Sequence, residues 1–172
     1  MKTRSWSTAL YAAFFALFAL PFATLYAACS HERLDTVSGY QTLAPHTYSY
    51  EAANGSTKAI SIGTDGFGWI AIALVAIAVG VSLFGFRTLW LSVISVAAVT
   101  SLFLAVTAAG GPKASTKAEL GYWLSSIAVA LAPAAGVRPW RKAVLVGVAT
   151  VVAALALIGA LIGLVALTAH RE

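Results

Sequence analysis

Cys29, His31, Glu32 and Asp35 bring a thiol, an imidazole and two carboxylates into one short stretch. Those are ligand types for zinc or copper. If the apolar runs described below cross a membrane, His46 and His170 lie on the same side as this cluster. The spacing matches no standard motif, and a single cysteine excludes both an intrachain disulfide and a CxxC metal or redox pair. These side chains therefore read first as a solvated loop, with a metal centre or an outer-face enzyme as the alternative.

No other constellation suggests catalysis, and no cofactor is expected. No Asp, Glu, Lys, Arg or His falls inside any of the long apolar runs. Proton-coupled carriers, pumps and voltage sensors generally need such residues, and a haem usually needs an axial histidine. The internal polar groups are hydroxyls: Ser82, Ser92, Ser95, Thr100, Ser101, Ser125, Ser126 and Thr150. Hydroxyls can line a solute path, but more often they bond their own helix backbone or bridge neighbouring helices.

The elements that must position these groups follow from composition. The chain has 172 residues, 60% of them hydrophobic and only 10% charged. Soluble domains carry roughly 25% charged residues, so these charges are too few to cover a water-soluble globule. The apolar residues form runs near the ~20 residues that span the hydrocarbon core. They read as five transmembrane helices, at about 7–28, 67–86, 88–109, 120–137 and 143–169. Residues 67–109 as one helix would extend roughly 64 Å, about twice the core thickness, so the chain must turn near Gly85-Phe86-Arg87. Pro133 and Gly136 are able to break the fourth run or make it re-entrant. The expected fold is an all-α membrane bundle forming one domain, with a small hairpin in its 29–66 loop.

Charge placement orients the bundle. With the amino terminus inside, the inner segments hold Lys2, Arg4, Arg87, Arg138, Arg141 and Lys142. The outer segments hold Arg33, Lys58, Lys113, Lys117 and Arg171, together with all six acids. Positive residues close to helix ends mark the cytoplasmic side. This puts the amino terminus in the cytoplasm, with the carboxyl terminus and the 29–66 loop outside a cell membrane. The net charge of +5 thus reflects topology rather than nucleic acid. Arg138, Trp140, Arg141 and Lys142 form an interface anchor, in which Trp sits at headgroup level and the cations meet anionic lipid. Trp6, Trp69, Trp90 and Trp123 also fall near span ends.

"LYAACS", residues 25–30, closes the first run. Tyr26 fits poorly in both a lipobox and an A-x-A cleavage site, and the run exceeds a signal-peptide core. A retained helix end is the first reading; lipidation at Cys29 and simple cleavage are the others. In the loop, "LDTVSGYQTL" and "HTYSYEAANGSTKAISIG" are strand-like, and Asn54-Gly55 between alternating residues signals a hairpin. A two-residue turn would pair Glu51 with Lys58; a three-residue loop with Gly55 left-handed would pair Tyr48 with Ile60.

Small residues indicate where helices meet. Gly159-x-x-x-Gly163, extended by Ala149, Ala153, Ala156 and Ala160, offers a face for close backbone approach, and Ala76-x-x-x-Gly80 is a lesser version. Packing within the chain is the first expectation for these faces, and self-association or a partner subunit the second.

Pro21, Phe22, Cys29, Gly39, Tyr40 and Leu43 in "LPFATLYAACSHERLDTVSGYQTL" resemble the opening of uncharacterised small bacterial multi-pass membrane proteins. That resemblance implies no activity. A strand-bearing loop after the first helix is similar in outline to claudin-like proteins, but the Trp-Gly-Leu-Trp motif and paired cysteines are missing, so nothing is carried over. The expected function is non-catalytic: an accessory subunit or assembly factor with the bilayer and other membrane subunits, or itself, as partners. A channel or transporter for a small neutral or lipid-like solute is the alternative.

Overall fold

The computed structural model describes residues 2–27, 33–51, 55, 57–62, 66–84, 88–109 and 114–169. Its first helix, α1 (Lys2–Leu17), buries Ser7, Tyr11, Phe14 and Phe18 from the helix and its exit turn. That four-then-three spacing is the stripe a helix turns towards a core. The helix does not run on to Ala28 as the hydropathy suggested. Ala19 N–H and Leu20 N–H bond the carbonyls three residues back, tightening the last turn, and Pro21 then has no N–H to continue the ladder. Proline also biases the residue before it towards extended backbone. The first expected span is therefore a shorter helix followed by a strand.

That strand, β1 (Pro21–Ala27), is the middle of a three-stranded antiparallel sheet. Its neighbours are β2 (Arg33–Ser38) on one edge and β5 (Ala114–Ala118) on the other. In "LYAACS", Leu25, Tyr26 and Ala27 thus belong to a strand rather than a helix end, while Ala28, Cys29 and Ser30 lie outside the described residues. A short 3-10 turn, Gln41–Leu43, leads to β3 (His46–Glu51) and β4 (Thr57–Ile62), which pair with each other. Tyr48 opposes Ile60 and Gly55 has φ +76°. The odd-loop register is the one realised, because glycine accepts the left-handed turn without a side-chain clash.

Three further helices complete an antiparallel four-helix arrangement: α2 (Phe67–Phe84), α3 (Thr88–Ala108) and α4 (Leu120–Ala135). α2 and α3 are separate, as helix length demanded, and Gly85-Phe86-Arg87 between them lies outside the described residues. Each of the four packs against two others in a closed ring. α4 is one continuous helix packed alongside α1. Its start lies beside β1, where Glu119 N–H bonds Phe22 O at 3.0 Å, and its far end brings Gly136 against Ser7. Pro133 is buried inside the last turn, so the helix ends just beyond it rather than breaking there.

The last helix, α5 (Trp140–Ala169), packs outside the ring against α3 and α4. Its 30 residues extend about 45 Å. α2, α3 and α5 are long and apolar enough to cross a membrane; the apolar helices at Trp6–Leu17 and Leu120–Ala135 are shorter. The chain is thus mostly helical with a small sheet at one end, where α1 and α3 finish and α2 and α4 begin.

Candidate functional site

The sheet end is assembled around Phe18. Its ring stacks on Phe14 at 5.1 Å and meets Phe22 edge-on at 5.1 Å and Tyr40 at 5.2 Å. Phe22 in turn meets Tyr122 of α4 at 5.6 Å. Gly39 lies flat against the Phe18 ring, where any Cβ would collide, and its N–H bonds Phe18 O at 2.9 Å. Tyr40 donates to Phe15 O at 2.8 Å, and Leu43 O accepts from Trp69 Nε1 at 3.2 Å. Phe22, Gly39, Tyr40 and Leu43, all from the resemblance motif, are therefore packing residues. They fasten the loop to the helix exits.

A polar line crosses the sheet beside this aromatic cluster. Thr24 on β1 is 2% exposed and donates to Glu119 Oε1 at 2.7 Å. Its oxygen also lies 3.1 Å from Thr36 Oγ1 on the directly opposed residue of β2. Arg33 Nη2 donates to Thr36. Four side chains thus tie β2, β1 and the start of α4 together. Sequence reasoning missed this line, because it depends on which strands become neighbours. The visible signal was slight: an acid immediately before an apolar helix, and a single threonine in each strand.

Among the described residues no group of three or more His, Cys, Asp or Glu is able to hold an ion. Cys29, His31, Glu32 and His170 lie outside them. Asp35 is exposed on β2, and its Oδ1 accepts the Thr36 N–H at 2.7 Å.

Most of the internal hydroxyls have partners that keep them inside the packing. Tyr11 shares a 2.7 Å bond with Ser95, and Thr8 a 2.8 Å bond with Ser82. Ser82, Thr100, Ser101 and Thr150 donate to backbone carbonyls of their own helices at 2.8–2.9 Å. Ser125 is fully buried, and its hydroxyl has no partner. Ser92 and Ser126 line separate apolar grooves beside α5.

α5 presents the opposite picture from Phe18. Gly147, Thr150, Ala154, Ile158 and Leu161 turn inwards, whereas Ala149, Ala153, Ala156, Gly159, Ala160 and Gly163 are exposed. Nothing lies within 4 Å of where a Cβ would stand on Gly159, Gly163 or Gly80. Ala76 is exposed on α2, whose buried face is Ala71, Val75, Ala78 and Ser82. The small-residue faces do not carry the packing of this chain. Only Ala149 and Ala153 come near it, lining the groove between α3 and α5. Arg138, Trp140, Arg141 and Lys142 are all exposed at the end opposite the sheet.

The chain matches no family model, no curated protein and no solved structure among those with which it was compared.

Proposed function

We propose that this is an integral membrane protein that serves as a non-catalytic accessory or assembly subunit. The observation that carries the reading is α5. Beyond its basic first turn it is apolar, only 17% of its most apolar window is buried, and its Gly159/Gly163 face is open. In hydrocarbon, helices associate through close backbone approach rather than through a hydrophobic drive. An open small-residue face on a peripheral helix therefore suits a neighbouring transmembrane helix.

Insertion itself is supported by the exposed surface. Trp69, Ile70, Leu83, Trp90, Trp123, Leu155 and Leu164 are each about half exposed or more. Each of the five tryptophans stands near the start of its helix, and because the helices alternate in direction, they form two bands. Trp69 and Trp123 lie at the sheet end; Trp6, Trp90 and Trp140 lie at the other. Two aromatic belts are the pattern of a spanning bundle. In this reading all five helices span, with the shorter α1 and α4 held within the ring, the sheet outside and the basic end in the cytoplasm. The transporter alternative has less support, since Ser95 and Ser101 are engaged inside the packing.

The test is a native mass spectrum of carboxyl-tagged protein extracted in a gentle detergent. Stoichiometric co-purifying subunits, lost when Gly159 and Gly163 become leucine, are expected. A bare monomer that also fails to cross-link in intact membranes, with a photoreactive residue at Ala156, overturns the reading.

A further inference from the structure

Resting on the membrane reading, we infer that the α1–α4–α5 groove holds one acyl chain of an anionic phospholipid, with its phosphate at the basic end. The groove has a volume of about 590 Å³ and is apolar, with Leu10, Leu131, Ala134, Val144, Gly147 and Val148 among its walls. Its floor is small: a Cβ on Gly147 would stand 3.4 Å from Ala134 Cβ, so α4 and α5 meet closely there. The slot beside them is open along one side and walled by methyl groups on the others, the character of a chain site.

One end of the slot is fixed by Ala135 and Ala143, which also line it and flank the loop joining α4 to α5. That loop and the first turn of α5 carry Arg138, Arg141 and Lys142, all exposed. Trp140 and Arg141 precede Val144 and Val148 by one and two turns, so helical spacing puts them on the groove's own face. No Asp or Glu occurs between Glu119 and Glu172 to neutralise these cations. Lys2 and Arg4 belong to the first turn of α1, at the same end of the bundle. Basic pockets between helices on the cytoplasmic side suit anionic headgroups. A soluble phosphate would leave the groove without an occupant, and a zwitterionic lipid would leave the cations uncompensated. An anionic phospholipid satisfies both halves.

The full-length protein in mild detergent, offered phosphatidylglycerol and phosphatidylcholine of identical chains, tests this by native mass spectrometry. A one-lipid adduct favouring phosphatidylglycerol by at least about fivefold is expected, roughly the effect of one interfacial cation. R138Q/R141Q/K142Q should bring that preference close to unity. V148W, which fills the slot and leaves every cation, should lose the adduct. Equal adducts of the two lipids in the unaltered protein overturn the inference. Retention of the adduct by V148W, or equal binding of chainless glycerol phosphate, overturns the chain site. Alkaline carbonate extraction keeps the two readings apart. Release of the protein from membranes would sink membrane insertion and this site together, whereas retention without a lipid preference would sink this site alone.

Discussion

The Phe18 junction and α5 both draw on strongly apolar stretches, yet the rings of Phe14, Phe18 and Phe22 are fully buried and α5 is nearly bare. The rings reach across to Tyr40 and Tyr122, so three chain segments share one set of ring contacts. α5 leaves Leu145, Leu155, Leu157, Ile162 and Leu164 exposed along with its glycines and alanines, because it packs on one side only, against α3 and α4. Hydrophobicity alone does not determine burial within this chain. Position in the bundle does: the Phe18 ring is enclosed by several elements, whereas α5 lies outside the four-helix ring.

Breaking the closed region should produce the largest effects. Phe18→Ala removes the ring that Phe14, Phe22, Tyr40 and Gly39 all contact, and should cost about 3–5 kcal/mol. The thermal midpoint of the detergent-solubilised protein would show it; an unchanged midpoint would mean that the sheet does not depend on this junction. Gly121→Ala comes next. Its Cβ would stand 2.6 Å from Pro21 O and 2.9 Å from Leu20 O, both backbone atoms without rotamers to yield. A loss of about 1–3 kcal/mol is expected from such overpacking, with amide exchange rising first in β1.

Thr24→Val keeps the shape but removes the hydroxyl that Glu119 accepts from. It should cost about 1–2 kcal/mol by leaving a half-buried carboxylate short of a donor. Thr24→Ser, which retains the hydroxyl, should recover most of that loss in the same denaturation series. At the open region, Gly159→Ala should cost no monomer stability and should raise it by up to about 1 kcal/mol through helix propensity, because the new methyl meets nothing. A drop as large as that for Gly121→Ala would show that α5 closes on the rest of the chain, and the contrast between the two regions would fail.

The legible parts of the fold are those where one physical signal has no competitor. The lengths and compositions of α2, α3 and α5 make each of them long and apolar enough to cross a membrane, and Asn54-Gly55 announces its hairpin because few other residues accept that turn. β1 was hidden because "FATLYA" is as apolar as a helix, and short apolar runs do not reveal their own period. Pro21 was the one local sign that α1 must stop. β5, "ASTKA", has no strand signal at all; it becomes a strand because the free edge of β1 needs a partner for its N–H and C=O groups. The candidate metal residues were legible as types, but Cys29, His31 and Glu32 lie outside the described residues.

By itself the sequence determined the apolar character of the helices, the turns that separate them, the basic end and the small-residue repeat. Each of these depends on residues close together along the chain. The tertiary structure alone decided that the first apolar run divides into helix and strand, that Gly39 and Gly121 sit where no side chain fits, and that the Gly159 repeat faces away from the core. Those outcomes depend on which distant segments become neighbours, and hydropathy and local spacing carry no information about that.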